Sequence, residues 1–370
     1  FRRRTSSRRG TRSQRPGGRR HTDVFDRRHG HTMLGRVKSL LWNERTRRLR
    51  LPWRLVALLV VLAVLGLGAG VVGSALTSVA ITRPLVLSTA GGSTGQVAVA
   101  IGNVVSLAAQ VAVTVGGVYL AGRFADRRWF RDFGFRLDRA WWLDLGFGLA
   151  LGAALMTGIF LVCLVAGWVT VTGLFSVARP GFSFPYWFGW GFVTFVAVGV
   201  YEELLFRGHL VTNLAEGFRW FDRVGPRGAV GLATLVTSGL FGVAHAANPN
   251  ASPASTVGIV LAAFMLAAGY VFTGELAIPI GIHVTWNFFQ GIVYGFPVSG
   301  TSFGVSLLAV DRSGPALVTG GAFGPEAGLL GLVAAAIGLG LIAAWVRWRE
   351  GTVGVDEAVT TPELRTSRTE

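Results

Sequence analysis

The sequence contains a single cysteine, Cys163, set in an apolar run. One thiol forms no disulfide within the chain and builds no cysteine-rich zinc site. Its surroundings suit a small buried hydrophobe rather than a nucleophile. Charge is scarce as well. Charged residues make up 15% of the 370 positions, hydrophobic residues 51%, and mean hydropathy is +0.51. That balance excludes an ordinary soluble domain and indicates a polytopic membrane protein. Several motifs are missing too. The chain has no His-Glu-x-x-His, no Gly-x-Ser-x-Gly elbow, no Gly-x-Gly-Asp, no P-loop and no dinucleotide glycine pattern. Site-two-type zinc proteases, serine hydrolases of the elbow type, presenilin-type proteases and nucleotide-binding enzymes are thereby disfavoured. No internal repeat suggests a transporter with inverted symmetry.

The net charge of +16 belongs mostly to one segment. Residues 1–54 hold 18 of the 35 Lys and Arg and only Asp23, Asp26 and Glu44 as acids, a net of +15. The remainder is nearly neutral. Residues 1–53 therefore read as a basic, disordered N-terminal tail, suited to anionic lipid at a membrane surface; nucleic acid is an unlikely partner, because stacking aromatics are nearly absent. The chain begins with Phe1, and Met33 precedes an ordinary membrane-protein start, so residues 1–32 are expected to lie outside the natural protein. No secretory signal is expected ahead of the first span.

Eight apolar runs are long enough to cross about 30 Å of hydrocarbon: 54–81, 97–122, 142–171, 187–206, 229–247, 256–273, 278–296 and 328–347. Backbone satisfaction in lipid makes them helices. The expected fold class is all-α, a polytopic transmembrane helical bundle of about eight spans in a cell membrane. Basic residues crowd the N-terminal tail, the second loop (Arg123 to Arg139), the fourth loop (Arg219, Arg223, Arg227) and the C-terminal tail. The other loops carry Arg83, Arg179, Arg312 or none. This alternation places both termini in the cytoplasm. The expected organisation is the tail 1–53, N-terminal transmembrane helices 54–184, a core at 185–296, an external loop and last helix at 297–348, and a C-terminal tail at 349–370.

Within the core, three patterns stand in order on separate spans: Glu202-Glu203-x-x-x-Arg207, Phe241-x-x-x-His245 and His283-x-x-x-Asn287. An ionisable group inside a membrane segment is costly, and so points to function. Glu203 and Arg207 are i,i+4 neighbours suited to an ion pair, which leaves Glu202 free to face a cavity as a base. The bland alternative is an ion-paired patch at a span end. His245 alone would suit a hydrogen-bonded core group, and Asn287 alone interhelical glue. His283 and Asn287 share a helix face and could bind an oxyanion, or His283 could ligate a metal. Helix four is expected to run through Arg207 to about Gly217, which brings Glu202 and His245 nearly level. By the same reckoning His283 lies shallower.

These motifs, Glu202-Glu203-Leu-Leu-Phe-Arg207-Gly208, Phe241-Gly-Val-Ala-His245 and His283-Val-Thr-Trp-Asn287, resemble those of the CPBP (Abi) intramembrane proteases, which include the type II CAAX prenyl endopeptidases. The resemblance covers about residues 185–295. It implies an endopeptidase whose site opens toward the cytoplasmic side. Glu202 and His245 would activate water, His283 and Asn287 would stabilise the oxyanion, and Glu203, Arg207 and Phe241 would shape the site. A cofactor is either absent or a divalent metal such as zinc, held then by Glu202, His245 and His283. The expected substrate is a membrane-anchored or lipidated peptide or protein, or a bacteriocin precursor. Two other classes stay open: a non-catalytic immunity or scaffold protein, and a proton-coupled transporter.

Overall fold

The computed structural model describes residues 40–44, 46–87, 93–178, 182–221, 223–356, 359, 361 and 364. The segment 1–32 and most of the predicted basic tail lie outside them. The end of that tail is structured, contrary to its composition. Strands β1 (Trp42–Asn43) and β2 (Arg48–Leu49) pair antiparallel, and Asn43 Oδ1 accepts from the Thr46 N–H at 3.2 Å to close the turn. Arg48 holds this hairpin on the helices. Its guanidinium reaches Glu216 Oε2 at 2.6 Å and the Asp126 carbonyl at 3.3 Å, while Arg54 and Arg128 pair with the same Glu216. A buried arginine needs carboxylates of this kind, and a tail read by composition alone does not reveal them.

Among the described residues eight helices of twelve residues or more follow: α1 (Leu51–Leu87), α2 (Ser93–Leu120), α3 (Arg139–Val165), α4 (Phe184–Phe218), α5 (Pro226–Ala244), α6 (Pro253–Thr273), α7 (Ala277–Phe288) and α8 (Leu329–Glu350). Their starts follow ordinary capping chemistry. Pro226 and Pro253 sit in first turns, where a missing N–H costs nothing, and Asp138 accepts from the Trp141 N–H at 2.9 Å. Gly274, with φ 68°, ends α6 in the left-handed conformation.

Among the described residues, seven of these helices are long and apolar enough to cross a membrane, against the eight spans predicted. The exception is α7, which continues through one π-helical turn only to Val293. The third span also stops short of its expected end at 171. Gly167 turns the chain at φ 72°, and Val169–Val177 pairs as β3 with β4 (Val305–Arg312). The protein is thus a multi-pass helical membrane protein with two small two-stranded antiparallel sheets, the local β1–β2 and the long-range β3–β4. α4 does run on past Arg207, as expected, by way of a π-helical stretch at Leu204–Val211.

α7 occupies the centre. Every residue in it except Asn287 is buried. It packs backbone to backbone on α3: a Cβ on Gly281 would lie 2.6 Å from Leu149 N and 2.7 Å from Leu145 O, and one on Gly148 would lie 2.5 Å from Ile278 O. Small residues allow this approach, as in other helix pairs in lipid. Thr285 Oγ1 reinforces it by donating to the Leu149 carbonyl at 2.8 Å.

The connections collect at two ends. One end gathers β1–β2, the α2–α3 connection, the α4–α5 turn, the α6–α7 turn, residues 351–356 and residue 359. There the Leu276 N–H donates to Gly134 O at 3.0 Å and the Asp356 N–H to Val271 O at 2.9 Å. The other end gathers β3–β4, residues 245–252 and residues 294–328. There the Ser313 N–H donates to Trp168 O at 3.0 Å, and Asn248 Nδ2 to Ser299 O at 3.1 Å. The first end carries nearly all of the arginines outside the helices.

Candidate active site

The three motifs meet around one cavity of about 420 Å³. Glu202 reaches it from α4, His245 from the C-cap of α5, and His283 and Asn287 from one face of α7. Apolar side chains, among them Phe195, Ile259, Met265, Leu266, Ile282 and Trp286, form most of the wall. An apolar pocket with a few convergent polar groups is the usual form of a small-molecule or peptide site.

Behind the wall lies the support. Glu203 is fully buried and accepts from Arg207 Nη1 at 2.9 Å, the i,i+4 pair expected from the spacing. Arg207 also donates through Nη2 to Ala263 O at 3.2 Å and lies 4.5 Å over the Phe241 ring, so it ties α4 to α5 and α6. The same Glu203 Oε1 takes the Nδ1–H of His283 at 2.7 Å. His283 is therefore not shallow, as rise along the chain suggested. The three-residue turn at 274–276 returns α7 directly beside α6, and the short helix is drawn level with Glu203. With Nδ1 donating, Nε2 of His283 points to the cavity, 3.8 Å from Glu202 Oε2. That carboxylate oxygen is buried and has no hydrogen-bond partner among the described residues.

His245 is fixed in a similar way. Its Nδ1 lies 2.7 Å from the Phe241 carbonyl oxygen, which can only accept. The neutral ring then carries its proton on Nδ1 and leaves the Nε2 lone pair available as a base or ligand. Phe241 is the hinge between the histidines, with its ring centroid 4.6 Å from that of His245 and 6.2 Å from that of His283.

A zinc set of Glu202, His245 and His283 does not take shape. Among the described residues no three His, Cys, Asp or Glu side chains converge as a metal-holding group. The three line one cavity.

The cavity also contains groups the motifs did not reveal: Gln110, Tyr201, Asn248, Ser299, Thr301 and Glu326. Glu326 is buried in a one-turn helix before α8, where it accepts from the Ser299 N–H and from Gln290, which itself donates to Pro297 O. Its only sequence signal is an acid in a Gly-rich stretch, and Gln290 is a polar residue in an apolar helix. Burial pushes the Glu326 carboxyl up to about 7, outweighing these donors. A raised value stabilises the folded protein fully below the ordinary 4.5, and that contribution is lost as pH rises through about 7. Thermal unfolding in detergent should therefore shift to lower temperature between pH 5.5 and pH 8, and Glu326→Gln should flatten the shift. Glu275, also raised to about 7 by burial in the α6–α7 turn, contributes with the same sign. An unchanged pH dependence in the Glu326→Gln, Glu275→Gln double variant would contradict both assignments.

The architecture is that of a multi-pass helical membrane protein whose α2, α4, α5, α6 and α7 line a cavity holding carboxylate, histidine and asparagine side chains. Residues 184–289 match the family model described as Rce1-like, type II CAAX prenyl endopeptidase Rce1-like. The match supports a CAAX-protease-like family, whose endopeptidase activity and membrane-associated substrates hold at the family level. The match spans the three motifs and the cavity's α4, α5 and α7 groups. No curated protein and no solved structure matches the chain.

Proposed function

We propose that this protein is an intramembrane endopeptidase that cleaves a peptide bond of a membrane-associated or lipidated substrate. The observation that carries the reading is the meeting of Glu202, His245, His283 and Asn287 around one cavity, with Glu203 and Arg207 buried behind them.

The chemistry follows from the placement. Glu202, with an unpartnered oxygen in the cavity, takes a proton from a water molecule, and His245 Nε2 holds that water as acceptor. The hydroxide attacks the scissile carbonyl carbon. The tetrahedral oxyanion lies against His283 Nε2, in its doubly protonated form, and the Asn287 amide. Glu203 accepts from His283 Nδ1 and so accommodates that imidazolium. The proton held by Glu202 passes to the leaving amine, C–N cleavage follows, and the carboxylate is restored. Lipid and apolar walls keep the dielectric low, which strengthens the oxyanion contacts.

A quenched fluorescent peptide library incubated with the purified full chain in detergent tests this, with and without a chelator. Cleavage that survives chelation supports activation of water by Glu202 and His245 alone. Cleavage lost on chelation and restored by zinc would transfer the role to a metal. A set of membrane-tethered peptides that all remain intact would favour a non-catalytic scaffold.

A further inference from the structure

The cavity has a direction. α5 begins at Pro226, beside Arg223 and Arg227, and ends at His245; its 19 residues span about 28 Å, nearly the hydrocarbon thickness. His245 therefore lies at the end of the bundle remote from the arginines. Glu202 stands about 24 Å along α4 from Phe218 at the basic end, counted as α-helical rise. Beside Gln110 of α2 and Tyr201 of α4, the polar wall is completed by Asn248, Ser299, Thr301 and Glu326 from the loops of the remote end. Thr301 is exposed there, and Ser299, Asn248 and His245 are half-buried. Toward the basic end the chain is closed. Glu203, Leu204, His209, Val211, Thr212, Asn213 and Ala215 are fully buried on α4 below Glu202, and Arg207 is 2% exposed.

Basic residues near span ends set orientation, and they stay on the cytoplasmic side. In this chain they lie at β1–β2, Arg123 to Arg139, Arg219 to Arg227 and Arg347 to Arg349, all at the closed end. The opposite connections carry Arg83, Arg179 and Arg312 alone. An orientation with the basic end cytoplasmic and a site open to the cytoplasm are incompatible in this fold.

We infer that the cavity opens to the extracytoplasmic face, and that its substrates are peptide segments on that face next to a membrane anchor. This inference rests on the endopeptidase reading for its substrate class but not for its orientation. A cytoplasmic prenylated C-terminus would meet the closed, arginine-rich end. A second approach runs from the lipid: Gln110 on α2 is exposed, and Tyr201 Oη donates to it at 3.4 Å, at the side of the cavity next to Glu202. A peptide emerging from its own membrane anchor on the outer side would reach Glu202 between these residues and the Ser299–Thr301 rim.

The test is labelling of single cysteines in the full chain with Cys163, which is buried, replaced by alanine. Thr301→Cys reports the cavity rim and Trp220→Cys the basic end, where Trp220 is 66% exposed. Right-side-out and inside-out vesicles from expressing cells are treated with a membrane-impermeant maleimide, and detergent-solubilised samples confirm that both thiols react. Thr301→Cys should label in right-side-out vesicles and be protected in inside-out ones, with Trp220→Cys the reverse. The opposite pattern, or a Thr301→Cys that labels from neither side, overturns the inference. Vesicles of each orientation, holding the protein with Thr301 and Trp220 intact, then receive a peptide joined to a lipid anchor. Cleavage from the right-side-out face alone supports the substrate assignment, and cleavage from the other face overturns it. The expected labelling without cleavage on either face counts against the protease, not against the orientation.

Discussion

Glu202→Gln is expected to remove peptide cleavage, by about 10²–10⁴-fold or to the detection limit, with the fold left intact. The two side chains have the same shape, so the cavity keeps its volume. Glu202 carries no close ion pair to lose, since its nearest charged neighbour is His283 Nε2 at 3.8 Å. An amide at this place cannot take a proton from water. His245→Ala should fall by a similar factor, because it removes the Nε2 acceptor while the Phe241 carbonyl turns to solvent at the half-buried α5 end. The measurement is initial rate on one cleaved peptide beside a melting curve for each variant. A Glu202→Gln protein as active as the parent would sink the assignment of the base.

Arg207→Ala is expected to cost stability rather than chemistry alone. It leaves Glu203 fully buried without its cation, a change that typically costs about 3–5 kcal/mol. It also deletes the contact to Ala263 O and the packing over Phe241. The double variant Glu203→Leu, Arg207→Met replaces the pair by apolar groups and should recover much of that stability. It should not recover activity, because His283 Nδ1 has lost its acceptor. Comparing the two by thermal unfolding and by cleavage rate separates support from catalysis. An Arg207→Ala protein with the parent's melting temperature would show that the pair supports nothing.

Much of this site was legible because its members repeat at helical spacing. Glu203 and Arg207, Phe241 and His245, and His283 and Asn287 are each four apart, so local geometry alone placed each pair on one face. The continuation of α4 past Arg207 was legible in the lack of proline. The rest depends on long-range contacts. The depth of His283 could not be read, because rise along a helix says nothing of how a three-residue turn seats α7 against α3. Glu326 and Ser299 approach the cavity from residues far along the chain, inside a loop whose composition suggested only solvent. The β1–β2 hairpin is held by Glu216, some 170 residues away, which no local pattern in the tail announces.

The burial of α7 has a consequence for biogenesis. His283 and Thr285 are expensive in lipid and find their partners, Glu203 and the Leu149 carbonyl, only when α4 and α3 already lie beside them. α7 therefore settles only after its neighbours have been inserted and gathered. Half of the candidate catalytic groups travel on it, so a nascent or partly assembled chain lacks the oxyanion partners. On the endopeptidase reading, competence for cleavage is thereby deferred to the end of maturation.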